Sequence, residues 1–178
     1  IKGNLIKATE QEGNYKTYSY DTHDRVTAIE YFKAGDVKQL KTEFTYDSSD
    51  NLLTMKDYKY TSGSYVQYRY TGYEYDEFNR LISVSECNKA SDPTDDELEA
   101  AKIRYDYDSR DNLIGIKYPD NDMGIAGIAL TYDKITGLVT KAEAVTAHNS
   151  DGEPSAKTTI REYSYNHMNQ VSDIKDYT

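Results

Sequence analysis

Tyr75-Asp76-Glu77-Phe78-Asn79-Arg80-Leu81 is the stretch that decides the fold, because its skeleton returns along the whole chain. A tyrosine-aspartate phrase stands at Tyr18-Ser19-Tyr20-Asp21, Phe44-Thr45-Tyr46-Asp47, Tyr73-Glu74-Tyr75-Asp76, Tyr105-Asp106-Tyr107-Asp108, Leu130-Thr131-Tyr132-Asp133 and Tyr163-Ser164-Tyr165-Asn166. Four residues after each Asp or Asn comes a second landmark: Arg25-Val26, Asn51-Leu52, Arg80-Leu81, Asn112-Leu113, Gly137-Leu138 and Gln170-Val171. The steps between successive phrases are 26, 29, 32, 25 and 33 residues. Uneven steps mean that the unit is local and that the segments between units vary. Gly3-Asn4-Leu5 reads as the back half of one more copy. The expectation is then that residues precede Ile1, where a signal peptide or lipid-anchor cysteine would lie.

Each copy reads as a hairpin. Two rings, or a ring and an apolar residue, flank a polar residue, as in Tyr18/Tyr20 around Ser19 or Phe44/Tyr46 around Thr45. A period of two places both on one face of a strand. The Asp opens the turn, since its carboxylate can accept backbone N–H groups two residues on. Three residues later stand Asp24, Asp50, Asn79, Asp111, Thr136 and Asn169. Asn and Asp tolerate positive φ best after glycine, which predicts a type I turn closed by a left-handed residue. Thr136 is the exception, and Gly137 can take the role with a shift of one. In the second strand the apolar residues are three apart, as in Val26 and Ile29 or Leu52 and Met55. A bulge beside the turn reconciles that spacing with a strand. One copy breaks it by placing Lys141 at an apolar position.

The expected fold is therefore all-β. It is an antiparallel meander of about 13–14 strands in one repeat-built domain over residues 1–178, and that many strands strain a flat open sheet. We expect a closed or nearly closed barrel, too wide to be filled by side chains alone, with a tyrosine-rich interior or a water-filled lumen. Ser91 to Lys102 interrupts the repeat. Ser91 or Asp92 as cap, Pro93 in the first turn and carboxylates near the N-terminus predict one short helix near 92–102. His148 to Pro154 reads as an exposed loop. Gly124 to Leu130 is the most apolar strand, and its glycines point to a bend or a close backbone approach.

Composition sets further bounds. Leu, Ile, Val and Phe account for 31 of 178 residues, and the net charge is −10, a profile that by itself points to disorder. Nineteen tyrosines supply the missing bulk, each ring removing on the order of 150–250 Å² from water when buried. An acidic chain argues against nucleic acid and anionic membrane surfaces. No apolar run approaches the ~20 residues of a membrane helix. Cys87 is the only cysteine, which excludes an intrachain disulfide and a cysteine zinc site.

The string Tyr-Asp-x-x-(Gly/Asn/Asp)-(Arg/Asn)-Leu resembles the YD repeat of RHS-type bacterial proteins and teneurins, and the Tyr75–Leu81 copy fits it best. The resemblance covers essentially the whole chain and implies a spiralling β-shell. The steps here are longer, Asn or Asp mostly replaces the turn Gly, and there is no toxin core. The small size, long spacers and abundant tyrosine are similar to a family of exported Bacteroidales proteins of unknown function with a porin-like barrel fold. That likeness implies export to the cell surface or periplasm, with a lipid anchor, and no activity.

Candidate sites follow. The turn residues Asp21, Asp47, Asp76, Asp108 and Asp133 carry the carboxylate oxygens that calcium needs, but the turn backbone has a prior use for them. His23, His148, His167 and Cys87 lack a recognisable nucleophile–base constellation. The tyrosines outside the repeat phase, Tyr58, Tyr60, Tyr65, Tyr68 and Tyr70, alternate with polar residues around a Ser-Gly turn. They form either a stacking surface for a glycan or peptide or a longer hairpin whose rings shield the sheet. The reading is a non-enzymatic, exported cell-envelope module, binding or structural, with no catalytic residue, metal or cofactor. A small outer-membrane barrel is the first alternative, although tyrosine spread along the strands does not fit a lipid-facing band. A glycan hydrolase is the second, and it would need two carboxylates about 5–5.5 Å apart if retaining.

Overall fold

The structure is a computed structural model that describes residues 3–119, 124–150 and 152–177. The chain forms two compact units, Ile1–Ala101 and Lys102–Thr178. The first holds β1 (Lys7–Thr9), β2 (Tyr15–Tyr20), β3 (Val26–Lys33), β4 (Val37–Tyr46), β5 (Leu52–Thr61), β6 (Ser64–Tyr75), β7 (Leu81–Cys87) and the helix α1 (Asp95–Ala100). The second holds β8 (Lys102–Tyr107), β9 (Leu113–Lys117), β10 (Gly127–Tyr132), β11 (Val139–His148), β12 (Pro154–Tyr165) and β13 (Val171–Asp176). Within each unit strand order is chain order, and the ladder does not close: β1 has β2 as its one neighbour and β13 has β12. The expected meander is present, and the closed form of the barrel is not.

The repeat builds one turn over and over. In five copies the backbone N–H of the Asp or Asn donates to the carbonyl four residues on: Arg25, Asn51, Arg80, Asn112 and Gln170. Its side-chain Oδ1 accepts two backbone N–H groups, from the second and fourth residues after it, at distances between 2.8 and 3.1 Å. In four copies Oδ2 takes the side chain of the fourth residue: Arg25 Nε at 2.7 Å, Asn51 Nδ2 at 2.9 Å, Arg80 Nε at 2.7 Å and Asn112 Nδ2 at 2.9 Å. The third residue is left-handed, with φ of 64° at Asp24, 68° at Asp50, 61° at Asn79, 64° at Asp111 and 59° at Asn169. In the remaining copy Gly137 takes φ of 70° one place later, and Asp133 pairs with Leu138.

That extra residue explains the anomaly at Lys141. The strand there starts at Val139, and Leu130 pairs with Ala142 while Thr131 pairs with Lys141. Lys141 thus occupies the polar phase. The bulge beside the turn is present in every copy: Tyr20 pairs with Val26 but Ser19 with Ala28, leaving Thr27 over, and the same slip leaves Leu53, Ile82, Ile114, Thr140 and Ser172 over.

Neighbouring repeats are tied twice. The second tyrosine of a copy donates its hydroxyl to the carbonyl that opens the second strand of the copy before: Tyr20 to Leu5 at 2.8 Å, Tyr46 to Val26 at 2.8 Å, Tyr132 to Leu113 at 2.8 Å and Tyr165 to Val139 at 2.7 Å. Turns also touch turns, through Asn4 Nδ2 to Asp24 at 3.0 Å, Arg25 Nη1 to Asp50 at 2.8 Å and Asn51 Nδ2 to Asn79 at 2.9 Å. Buried apolar residues are few among those described, namely Cys87, Ala129 and Val145, so half-buried rings and lateral hydrogen bonds hold the sheet.

The helix corrects the expected range of 92–102. It spans Asp95–Ala100 with Thr94 as cap, Thr94 Oγ1 accepting from the Glu97 N–H while the Glu97 carboxylate accepts from the Thr94 N–H. Thr94 is followed three residues later by Glu, the reciprocal capping box. Ser91 and Asp92 have no such partner three residues on, and Pro93 falls before the cap. The loop expected at His148–Pro154 is narrower, because His148 and Pro154 belong to strands. Asn149 caps it as the repeat residues do, pairing with Glu153 while Gly152 is left-handed; Asp151 lies outside the described residues. The close approach expected in the apolar strand is real at Gly127, where an added Cβ would sit 2.2 Å from the Ile116 carbonyl oxygen.

Hydrogen bonds hold the turn carboxylates below the usual range. At Asp47 and Asp108 the amides of Asn51 and Asn112 are the largest cause, and at Asp133 the Thr136 N–H is. At Asp21 and Asp76 desolvation opposes ionisation, and the bonds from Arg25 and Arg80 outweigh it. Depressed values mean stability present above the ordinary carboxylate range and lost as pH falls through the folded values. A thermal melt series should therefore show a midpoint that drops in acid below about pH 4, with a shallower slope in Asp47→Asn. Asp47→Ala at neutral pH should lower the thermal midpoint by several degrees, because two backbone N–H groups lose their acceptor. Gly127→Ala should cost about 1–3 kcal/mol, because the obstructing atom is backbone.

Candidate functional site

The five off-phase tyrosines lie on the β5–β6 hairpin, whose turn residues Ser62 and Gly63 have φ of 50° and 88°. Register assigns their faces. Glu30 pairs with Lys41, Lys41 with Tyr58 and Tyr58 with Gln67, so these four side chains share one face. Glu43 pairs with Lys56 and Lys56 with Tyr70, and Tyr60 pairs with Tyr65, adding them to the same face. The repeat rings Tyr18, Tyr20, Tyr73 and Tyr75 fall on the other one. Four of the five candidates are thus brought together. Tyr68 is the bulge residue, 45% exposed and outside the register.

The rings are pinned by carboxylates. Tyr58 donates its hydroxyl to Glu43 Oε2 at 2.7 Å, and Tyr65 donates to Glu30 Oε2 at 2.9 Å. The second bond joins β6 to β3 over two intervening strands. Strands lie about 4.8 Å apart, so a direct bond over three steps requires this part of the sheet to curl toward the tyrosine face. Tyr60 and Tyr65 meet edge to face, centroids 5.1 Å apart at 72°. Lys38 sits 5.8 Å from the Tyr60 centroid and 5.3 Å from that of Tyr65. Lys41 lies 5.8 Å from Tyr58 and 5.7 Å from Tyr65, and Lys56 lies 5.6 Å from Tyr70.

Most charges here are matched. Lys41 pairs with Glu43 at 2.5 Å and Lys56 with Asp92 at 2.6 Å. Partial burial raises the phenols of Tyr58 and Tyr65 well above their ordinary range, and the bonds to Glu43 and Glu30 raise them further. At Glu43 burial opposes ionisation, but Lys41 and Tyr58 outweigh it and lower its value. Sequence reasoning missed Glu30, Lys38, Lys41, Glu43 and Gln67. Their signal is register over three hairpins, not local spacing.

The other candidates divide. The turn carboxylates are committed to the backbone N–H groups described above. Cys87 is buried under α1 and its thiol donates to the Glu97 carbonyl at 3.7 Å; burial raises its value, which opposes a thiolate nucleophile. His23 touches Thr22 Oγ1 at 3.4 Å, and His148 Nε2 is buried without a partner. In the second unit a trough of about 600 Å³ is lined by Asp106, Gly115, Ala129, Thr131, Glu153 and Lys157 among others. Asp106 there is paired with Lys117 at 3.1 Å.

No protein-family model matches the chain, and no curated protein matches it. Solved structures do. A crystal structure of TcdB2-TccC3-Cdc42 aligns with TM-score 0.68 and 19% identity over 98% of this chain and 9% of that one. TcdB2-TccC3 without its hypervariable C-terminal region aligns with TM-score 0.69 and 19% identity over 97% of this chain and 8% of that one. A Photorhabdus luminescens Tc holotoxin pore aligns with TM-score 0.67 and 20% identity over 97% of this chain and 8% of that one. At such identities the likeness is one of fold, and the chain spans less than a tenth of the length of these structures' chains. The likeness agrees with the YD-repeat reading at the level of the repeat sheet.

Raised phenols contribute stability that is complete below their ordinary value of about 10 and lost as pH climbs through the folded values. A near-ultraviolet alkaline titration should show a delayed class of tyrosines that contains Tyr58 and Tyr65. Tyr65→Phe should shrink the delayed class and cost about 1 kcal/mol. A single class titrating before unfolding would mean that the Glu30 and Glu43 bonds are not made.

Proposed function

We propose that the chain is a non-enzymatic structural or binding module of an exported cell-envelope protein, with the tyrosine face as its contact surface. One observation carries this reading: the carboxylates the sequence offers for chemistry are spent on scaffold, turn by turn, while the tyrosine face groups rings and charges that the repeat itself does not require. The fold likeness to toxin-complex chains supports a wall or contact role for a YD-repeat sheet and a secreted setting. The likeness to exported Bacteroidales proteins supports the cell surface or periplasm, and an N-terminal lipid anchor. Among the described residues no helix is long and apolar enough to cross a membrane. A membrane barrel has to close its strand ladder, which the strand order here does not support. The ligand in this reading is a glycan or peptide taken by Tyr58, Tyr60, Tyr65 and Tyr70.

A thermal-shift screen against glycans, short peptides and divalent metals tests the reading. A ligand at a hundredfold excess over Kd adds about 2.7 kcal/mol to the native state. We expect a shift with a glycan or peptide that is lost in Tyr60→Ala and in Tyr65→Ala and kept in a Tyr177→Ala control. A shift with calcium alone would move function to the turn carboxylates. A shift that survives both tyrosine substitutions would remove the tyrosine face from the binding role.

A further inference from the structure

The tyrosine face keeps two donors that no described residue satisfies. Gln67 is 7% exposed, stands in the cross-strand row of Tyr58, Lys41 and Glu30, and leaves its Nε2 without a hydrogen-bond partner. A buried amide donor left unmade is costly, and native structures rarely carry one without a reason. Its Nε2 is covered by neighbouring side chains, so an acceptor reaches it when those side chains part to admit a group against the sheet. Lys38 is exposed, stands over the Tyr60 and Tyr65 rings, and makes no ion pair among the described residues. Neighbouring charges are matched or occupied: Lys41 by Glu43, Lys56 by Asp92, and Glu30 by the Tyr65 hydroxyl.

The guest that complements this set has three properties. It presents oxygen acceptors, because the unsatisfied groups are an amide N–H and an ammonium. It carries negative charge, because Lys38 has no carboxylate partner among the described residues, and one charge rather than two, because Glu30 and Glu43 would repel a dianion. It has a flat face of C–H groups, because the flanking surface is aromatic. A peptide backbone alternates donors with acceptors and fits a set of donors poorly. Building on the binding-module reading above, we infer that the tyrosine face takes an acidic sugar. Lys38 meets its carboxylate, Gln67 Nε2 donates to a ring or hydroxyl oxygen, and Tyr60 and Tyr65 stack on its apolar face. Lys38 and Gln67 are thus the specificity residues of the face.

The test is isothermal titration of the whole chain with galacturonic acid, a monoanion at neutral pH, and with its methyl ester, which keeps the shape and removes the charge. At low salt the acid should bind at least tenfold more tightly than the ester. Lys38→Ala should abolish that preference. Gln67→Met keeps the side-chain volume and removes the amide, so it should weaken both ligands several-fold while leaving the thermal midpoint unchanged or higher. If Gln67→Met fails to fold, the Lys38→Ala comparison decides. Equal binding of acid and ester overturns the acidic-sugar inference and leaves the binding face standing. Acid binding that is indifferent to both substitutions overturns the site. Binding of a peptide and of no sugar overturns the ligand class, and binding of neither class overturns the binding-module reading as well.

Discussion

One carboxylate oxygen per turn governs the rest of this structure. Oδ1 of the repeat aspartate accepts two backbone N–H groups at once, which closes the turn around a left-handed third residue. A hairpin closed this way has one residue too many on its outgoing strand, and the surplus becomes the bulge. The bulge then sets the phase. Without it the second apolar residue of each outgoing strand would face away from the repeat tyrosines, since a slip of one residue turns every side chain to the opposite face. With it, Ile29 pairs with Tyr18 and Met55 with Phe44. Local acid–amide chemistry thus decides which face of a long sheet is ringed with tyrosine.

The same geometry explains why the ring is tyrosine rather than phenylalanine. A sheet with so few fully buried apolar residues cannot rely on a packed interior. Each repeat gains its stability by holding the one before it, as in other arrays whose units cannot stand alone. The hydroxyl of Tyr46 reaches the Val26 carbonyl, and that of Tyr165 reaches Val139, in each case the first residue after a turn. Phenylalanine would keep the buried area and lose this tie. Arg25 shows the second tie: one guanidinium caps its own Asp21 and then crosses to the Asp47 carbonyl and the Asp50 carboxylate of the next turn.

The turns were legible because their signals are local. Asp or Asn, a left-handed candidate three residues on, and apolar residues spaced by three lie within a single ten-residue window. Even the shift at Gly137 was readable from Thr136 being a poor left-handed residue. The helix start was misplaced because Ser91, Asp92 and Thr94 are all acceptable caps, and the choice rests on which has a glutamate three residues on. Closure was not legible, because strand number measures crowding while closure depends on summed twist. The partners of the off-phase tyrosines were hidden by distance. Tyr65 and Glu30 are 35 residues apart, and the chain between them passes bulges at Tyr31/Phe32 and at Thr45/Tyr46. Each bulge inverts the face that simple alternation assigns.

Tyrosine therefore serves two purposes on opposite faces. On the repeat face its hydroxyl meets backbone carbonyls one copy back, and the bond runs between neighbours. On the other face the Tyr65 hydroxyl meets a carboxylate three strands away, and the bond runs across a curl. A bond of the first kind tolerates a range of curvatures, because neighbouring strands keep their spacing as the sheet bends. A bond of the second kind does not: flattening the sheet would pull Tyr65 from Glu30 before it disturbed any ladder hydrogen bond. The Tyr65–Glu30 pair thus reports and restrains the curvature of this region. Anything that seats against Tyr60, Tyr65 and Lys38 meets a surface already bent to receive it, and so loses less of its binding free energy to reorganising the protein.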